Sequence, residues 1–179
     1  MIERIMIAGS GGQGTILIAK LLAHVALKHF EHITFFPAYG AEVRGGTSNG
    51  QVILSSDEIA SPVPDQFDSL LIMNQASADK YLALRHHDGL VILNSSMCTS
   101  PVAPPMVAIR ATEEADRLGD PRVANFIMLG AYIGAKRILP AAAVEDGIEQ
   151  ILAGKASTLI NLNIRAFRFG MSGRPAGVV

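Results

Sequence analysis

Two glycine-rich stretches hold the residues whose types and spacing could do chemistry. The first, Gly9-Ser-Gly-Gly-Gln-Gly14, satisfies G-x-G-x-x-G between an apolar run and a helical pattern. Glycines at this spacing let backbone N–H groups approach an anion, and a helix N-terminus favours negative charge there. The stretch therefore reads either as a cradle for a phosphate or carboxylate, or as a tight strand-to-helix turn that holds no nucleotide. A nicotinamide or flavin site is disfavoured. Phe35-Phe36-Pro37 stands where an acid for a ribose hydroxyl belongs, and Gln13 adds bulk where small residues are usual. The second stretch, Pro37 to Gly50, carries Glu42, Arg44 and Gly45-Gly46 in a chain only 17% charged. Arginine cannot serve as a proton base, and no His, Cys or Lys accompanies it nearby, so a catalytic pair is a poor reading. Two others remain. Arg44 offers a fork of donors beside glycines that admit close backbone approach, which suits an anion. Alternatively, Glu42 and Arg44 form a lock, orienting each other or residues of a partner chain.

The elements around these loops follow from hydropathy. Ile5–Ala8, Ser69–Met73 and Gly89–Leu93 are short, wholly apolar runs, as buried parallel strands require. Ile33–Phe36, Ser48–Ser55 and Val107–Arg110 read as further strands. A helix is expected from Thr15 to about His29, with Lys20, His24 and Lys28 as its single polar stripe. Ala76–Leu84, Val123–Ile138, Ala141–Leu152 and Ser157–Phe169 also read as helices. Pro140 suits the first turn of one and Gly154 suits its end. Strands alternating with helices predict an α/β fold: a three-layer, Rossmann-like, mostly parallel sheet with helices on both faces and a helical C-terminal third. Residues 1–170 are expected to form a single domain, and 171–179, rich in glycine and proline, a mobile tail.

Composition narrows the function classes. The chain of 179 residues is 49% hydrophobic, yet no run reaches the roughly 18 to 20 uncharged residues of a membrane span. Excess apolar content without a span reads either as a subunit that buries part of its outside against a partner, with self-association expected when isolated, or as a helix-rich core with an ordinary surface. A net charge of −1 with no basic run argues against nucleic acid. The opening residues enter a strand at once, so no signal peptide and a cytoplasmic location are expected. Cys98 is the sole cysteine, which leaves no thiolate set for zinc or an iron–sulfur cluster. His24, His29 and His32 lack a carboxylate ligand set, and His86-His87 reads as a solvated pair between helix and strand, so no metal site is expected.

Four stretches together resemble one family: Gly9-Ser-Gly-Gly-Gln-Gly14, Tyr39-Gly-Ala-Glu-Val-Arg-Gly-Gly-Thr-Ser-Asn49, Ser61-Pro62 and Met73-Asn-Gln-Ala-Ser-Ala-Asp-Lys80. The chain resembles the gamma subunit of the 2-oxoacid:ferredoxin oxidoreductases, which act on pyruvate, 2-oxoglutarate, branched 2-oxoacids or indolepyruvate. The resemblance runs from Ile5 to about Phe169 and includes the helix at Asn125–Gly134. Two positions depart from it, Ala41, where many relatives carry proline, and Gly50, where many carry cysteine.

The resemblance implies a subunit that packs on thiamine-binding alpha and beta subunits, beside a ferredoxin-like subunit. The assembly would oxidatively decarboxylate a 2-oxoacid, with 2-oxoglutarate favoured by overall likeness, to acyl-CoA and carbon dioxide, with electrons passing to ferredoxin. Thiamine diphosphate and the iron–sulfur clusters are expected on the partners, and the isolated chain is expected to be inactive. Coenzyme A is the one cofactor this chain is expected to meet, through Gly9, Gly11, Gly12, Gln13, Gly14, Arg44, Gly45 and Gly46. Tyr39, Glu42, Asn74, Gln75 and Lys80 are assigned to the interface or its support, and no residue is assigned to catalysis. The competing reading is a free-standing nucleotide-binding or sensor domain built on Gly9–Gly14.

Overall fold

The computed structural model describes residues 1–39 and 47–172, with the side chain of Tyr39 left out. Its centre is a six-stranded sheet in the order β2-β3-β1-β4-β5-β6, formed by β1 (Ile2–Ser10), β2 (His32–Tyr39), β3 (Thr47–Ser55), β4 (Phe67–Ile72), β5 (Arg85–Asn94) and β6 (Met106–Ile109). β4 pairs parallel with both β1 and β5, and β5 pairs parallel with β6. β3 runs antiparallel to both β1 and β2, so β3 is the one reversed strand and the sheet is mostly parallel, as expected.

Alternation along the strands divides the core in two. Ile5, Ile7, Val52, Leu54, Leu71 and Ile92 face a large helical layer. That layer comprises α1 (Thr15–Ala26), α3 (Ala111–Leu118), α4 (Ala124–Lys136), α5 (Ala141–Ile151) and α6 (Ser157–Ser172). Met6, Ala8, Leu70, Ile72, Val91 and Leu93 face the other way, where the covering helix is α2 (Gln75–Tyr81), through Ala78 and Tyr81. The second layer is thus much thinner than the first. At the sheet edge where β1 begins, the buried Glu3 carboxylate accepts hydrogen bonds from Ser69 Oγ (2.6 Å), Tyr132 Oη (3.3 Å) and Lys136 Nζ (3.0 Å), tying β1 to β4 and α4. Burial, and then the Glu3 charge, push the Tyr132 phenol well above its ordinary pKa.

Helix α1 ends at Ala26, three residues before the expected His29, and its Lys20–His24–Lys28 stripe is exposed as read. The helix expected at Ala76–Leu84 divides into α2 and a 3-10 turn at Leu82–Leu84. The His86-His87 pair, placed between helix and strand by the sequence, lies in the first residues of β5, with His87 exposed and paired with Asp88 at 2.6 Å. Helix α3 has no counterpart in the sequence reading. Ala111 and Ala115 are buried and Leu118 packs against the core, but four of its eight residues are charged, so no apolar run marks it in the sequence. Helix α6 runs through Ser172, into the stretch expected to be tail, while residues 173–179 lie outside the described residues.

Candidate functional site

Two of the segments singled out in the sequence meet at the carboxyl ends of β1 and β4, next to the end of β2 and the start of β3. The glycine loop follows β1, residues 40–46 link β2 to β3, and Asn74-Gln75 follows β4. Glu42, Arg44, Gly45 and Gly46 lie outside the described residues, as does the side chain of Tyr39. The residues that frame them are fixed.

Gln13 and Asn74 shape the glycine loop. The Gln13 side chain folds back so that Oε1 accepts from Ser10 N (2.7 Å) and from Asn74 Nδ2 (2.9 Å). Asn74 also donates to Ser10 Oγ (2.6 Å), and its Oδ1 caps α2 by accepting from Ser77 N (2.9 Å). One asparagine thereby ties the end of β4, the start of α2 and the glycine loop. The glycines serve different ends. A Cβ on Gly9 would lie 2.7 Å from Gln13 Oε1 and 3.0 Å from Met73 Cβ, so that glycine admits the folded-back glutamine. Gly14 is left-handed (φ 72°), and a Cβ there would overlap the side chain of Asn125, whose Nδ2 donates to Gly14 O at 3.3 Å. Gly12 is also left-handed, at φ 89°, while Gly11 has open space around it.

Because Gly14 has no side chain, the N-terminus of α1 lacks a side-chain cap, and its first-turn N–H groups are without the acceptor such a cap supplies. Beside it lies a cleft of about 230 Å³ lined by Gly12, Gln13, Met73, Thr112 and Arg122 among others. Arg122 is exposed and held by Asp120 through Nε–Oδ1 (2.9 Å) and Nη2–Oδ2 (2.6 Å). The Arg122 hydrogen bonds hold the Asp120 carboxyl below the usual carboxylate range. The sequence reading passed over Arg122 and Asn125. The available signal was Asp120-Pro121 ahead of an apolar helix, an N-cap followed by proline at the first position.

The strand leaving residues 40–46 is held on both sides. Thr47 Oγ1 meets Tyr81 Oη (3.1 Å) and accepts from Lys80 Nζ (3.3 Å). Ser48 Oγ meets Thr15 Oγ1 (3.0 Å), and Asn49 Nδ2 donates to Tyr81 Oη (3.1 Å). Lys80 thus supports this loop base, and Tyr81, which the sequence did not single out, is its centre. Gln75 turns elsewhere. Its Oε1 accepts from Thr99 N (2.8 Å) and its Nε2 donates to Ser100 Oγ (2.6 Å), anchoring the loop after β5. Cys98 beside it is buried, and burial followed by the Asp79 charge pushes its thiol up to about 11. A protonated thiol is neither a nucleophile nor a ready cluster ligand at neutral pH. Among the described residues, what these strand ends offer is N–H donors and a hydroxyl-rich loop base, with the Arg122 guanidinium already paired to Asp120, which is chemistry for holding an oxyanion or a partner chain.

A family model described as pyruvate ferredoxin/flavodoxin oxidoreductase matches residues 4–173. Ketoisovalerate oxidoreductase subunit VorA of Methanothermobacter thermautotrophicus is 33% identical over 169 residues, 93% of this chain. The chain spans only 35% of the length of that relative. The 2-oxoglutarate synthase subunit KorC of Archaeoglobus fulgidus is 30% identical over 167 residues, covering 93% of this chain and 84% of that one. The crystal structure of the keto/oxoacid ferredoxin oxidoreductase gamma subunit from Geobacter sulfurreducens superposes with a TM-score of 0.79 at 28% identity, over 94% of this chain and 96% of that one. The 2-oxoglutarate:ferredoxin oxidoreductase of Magnetococcus marinus contains the same fold, with a TM-score of 0.85 at 21% identity over 94% of this chain and 30% of that one. The match extends beyond the glycine loop to nearly every element of the sheet and its helical layer, and the chain belongs to the pyruvate ferredoxin/flavodoxin oxidoreductase family.

Proposed function

We propose that the chain is the gamma-type subunit of a 2-oxoacid:ferredoxin oxidoreductase. In such a complex it would help wall the active site without supplying a reacting side chain. The observation that carries this reading is the length match. The KorC subunit of Methanothermobacter marburgensis is 30% identical over 182 residues, covering 95% of each chain. The donor set supports the division of labour, since the sole cysteine is buried with its thiol pushed up, which does not suit an iron–sulfur cluster. Thiamine diphosphate and the clusters then belong to partner chains, and the self-association proposed for the isolated subunit uses the face meant for them.

Coenzyme A supplies the acyl acceptor of the overall reaction when bound. Its phosphates suit the uncapped start of α1, the Gly12 side of the cleft and the arginine fork of Arg44. The proposed substrate is 2-oxoglutarate, supported by 2-oxoglutarate synthase subunits that match this chain at comparable length. A branched 2-oxoacid is the second reading, favoured by the 33% identity to the ketoisovalerate subunit.

The test is co-expression of the tagged chain with thiamine-binding and ferredoxin-like chains of a 2-oxoacid oxidoreductase from the same genome. Stable co-purification is expected, with 2-oxoglutarate giving a higher kcat/KM than ketoisovalerate. Arg44→Ala is expected to raise the KM for coenzyme A or to weaken assembly, and Glu42→Ala separates the two roles of the loop. A lock predicts the same assembly defect for Glu42→Ala, whereas an anion site predicts unchanged or tighter coenzyme A binding. A tagged chain that recovers none of these partners while binding a nucleotide on its own would overturn the subunit reading in favour of a free-standing sensor domain.

A further inference from the structure

On the thin face of the sheet, at the end of the strands opposite the glycine loop, lies an open groove of about 870 Å³ that the proposed reaction does not use. It is built where the segment from Ser56 to Gln66 leaves β3, crosses the start of β1 and enters β4. Ile2, Ile53, Ile59, Pro64 and Leu84 contribute apolar walls. Ile2 (39% exposed) and the neighbouring Val63 (48%) add apolar surface in reach of a partner. The Ser61-Pro62 stretch, which the glycine-loop edge leaves without a role, belongs to this segment, and Ser61 lines the groove.

The charges on the walls are of two kinds. Arg4 is already engaged: its backbone N–H and Nη1 donate to Asp68 Oδ2 at 2.8 and 3.1 Å. His86 sits against His87, with ring centroids 4.3 Å apart. Glu58 and Asp65 are exposed carboxylates on the crossing segment and, among the described residues, neither is in an ion pair. A groove with apolar walls from Ile2, Ile53, Ile59, Pro64 and Leu84 and a polar remainder that includes two unpaired acids is complementary to a chain segment that alternates apolar side chains with Lys or Arg. The apolar side chains would meet the apolar walls while the cations meet the acids.

We infer that this groove is a docking surface for a basic, apolar segment of a partner subunit, placed on the side of the molecule away from the proposed coenzyme A contact. The inference rests on the gamma-type reading for the identity of the partner, but not for the chemistry of the groove. The partner arm of the test compares the co-expressed complex with the free chain by hydrogen exchange. Amides of residues 57–66 are expected to be protected in the complex. Glu58→Lys with Asp65→Lys is expected to weaken assembly at least tenfold at low salt and less at high salt, while Glu31→Lys with Glu149→Lys, the same charge change elsewhere, leaves assembly intact. The groove arm titrates the full chain with a synthetic peptide of alternating isoleucine and lysine. Shifts in NMR resonances of Ile53, Ile59 and the Glu58–Asp65 segment are expected, with none from an isoleucine–glutamate peptide. Unprotected 57–66 amides in a complex insensitive to the reversals overturns the inference. So does a reversal that abolishes only self-association of the free chain, which would make a second copy the occupant. If no complex forms at all, the gamma-type reading fails, and the peptide arm still decides the groove: no shifts at millimolar peptide refute it.

Discussion

At the residue scale, the glycine loop separates into positions demanded by the fold and one that is not. Gly14 combines a left-handed backbone with the close approach of Asn125, so Gly14→Ala is expected to destabilise the chain by at least ~2 kcal/mol, read from urea unfolding midpoints. Gly11 has neither feature, and Gly11→Ala is expected to stay within ~0.5 kcal/mol of the parent. A KM increase for coenzyme A in Gly11→Ala without loss of stability would mark a ligand role for that position. Equal and large destabilisation in both variants would contradict the division. Cys98 gives a second prediction. Its thiol, raised from 9.0 to about 11, is protonated through the neutral range, so alkylation of the folded chain at pH 7.5 should be far slower than after unfolding. A pKa raised by folding stabilises below pH 9.0 and loses that contribution as pH rises to about 11. Unfolding midpoints should fall more steeply across that window for the parent than for Cys98→Ala. The sequence singled out the G-x-G-x-x-G spacing and the Met73–Lys80 stretch, and the fold places Gln13 and Asn74 in hydrogen-bond contact. What spacing could not give is that Gln13 turns back onto Ser10 and Asn74, that Asn125 crosses from α4 to Gly14, or that Gln75 serves a different loop. The Gln13–Asn74 and Asn125–Gly14 contacts join residues 61 and 111 positions apart and depend on the closed tertiary fold.

At the element scale, the helical layer depends on how closely α4 and α6 approach. A Cβ on Gly130 would overlap Phe167 O, and a Cβ on Gly170 would overlap Ile127 O, so the two helices pack backbone against backbone at reciprocal glycines. Alanine normally favours a helix over glycine by about 1 kcal/mol. Here that gain is outweighed, because neither colliding partner is a flexible side chain. Gly130→Ala and Gly170→Ala are each expected to lower stability by ~2 to 3 kcal/mol, measured by thermal unfolding. A rise in Tm in either would show that the helices separate without penalty. The strands and long helices were readable because each carries a strong apolar period. Buried β1, β4 and β5 read as continuous apolar runs, and α1 as an apolar helix with one polar stripe. Helix α3 was not readable because half of its residues are charged and only Ala111, Ala115 and Leu118 meet the core, and α2 read too long because Leu82 and Leu84 extend its apolar pattern into a 3-10 turn. The reversal of β3 is likewise absent from hydropathy, since a strand buried on both faces has the same pattern in either direction.

At the scale of the whole molecule, the two faces of the sheet are unequal and so are the two ends of its strands. Five helices cover one face and α2 covers part of the other. One end of the strands gathers the glycine loop and the base of residues 40–46, while the other presents the mixed polar and apolar groove with its two unpaired acids. Among the described residues, no helix is long and apolar enough to cross a membrane. Such a body suits the proposed subunit role, and the chain belongs to the pyruvate ferredoxin/flavodoxin oxidoreductase family. The direct test is the rate of viologen reduction driven by 2-oxoglutarate and coenzyme A. It is measured for the complete complex, for the partner subunits purified without this chain, and for this chain alone. The account predicts turnover in the complete complex, none in the chain alone, and a loss of at least tenfold in the partners alone that is restored by adding the purified chain back. Turnover by the isolated chain, or full activity of the partners without it, would contradict the account.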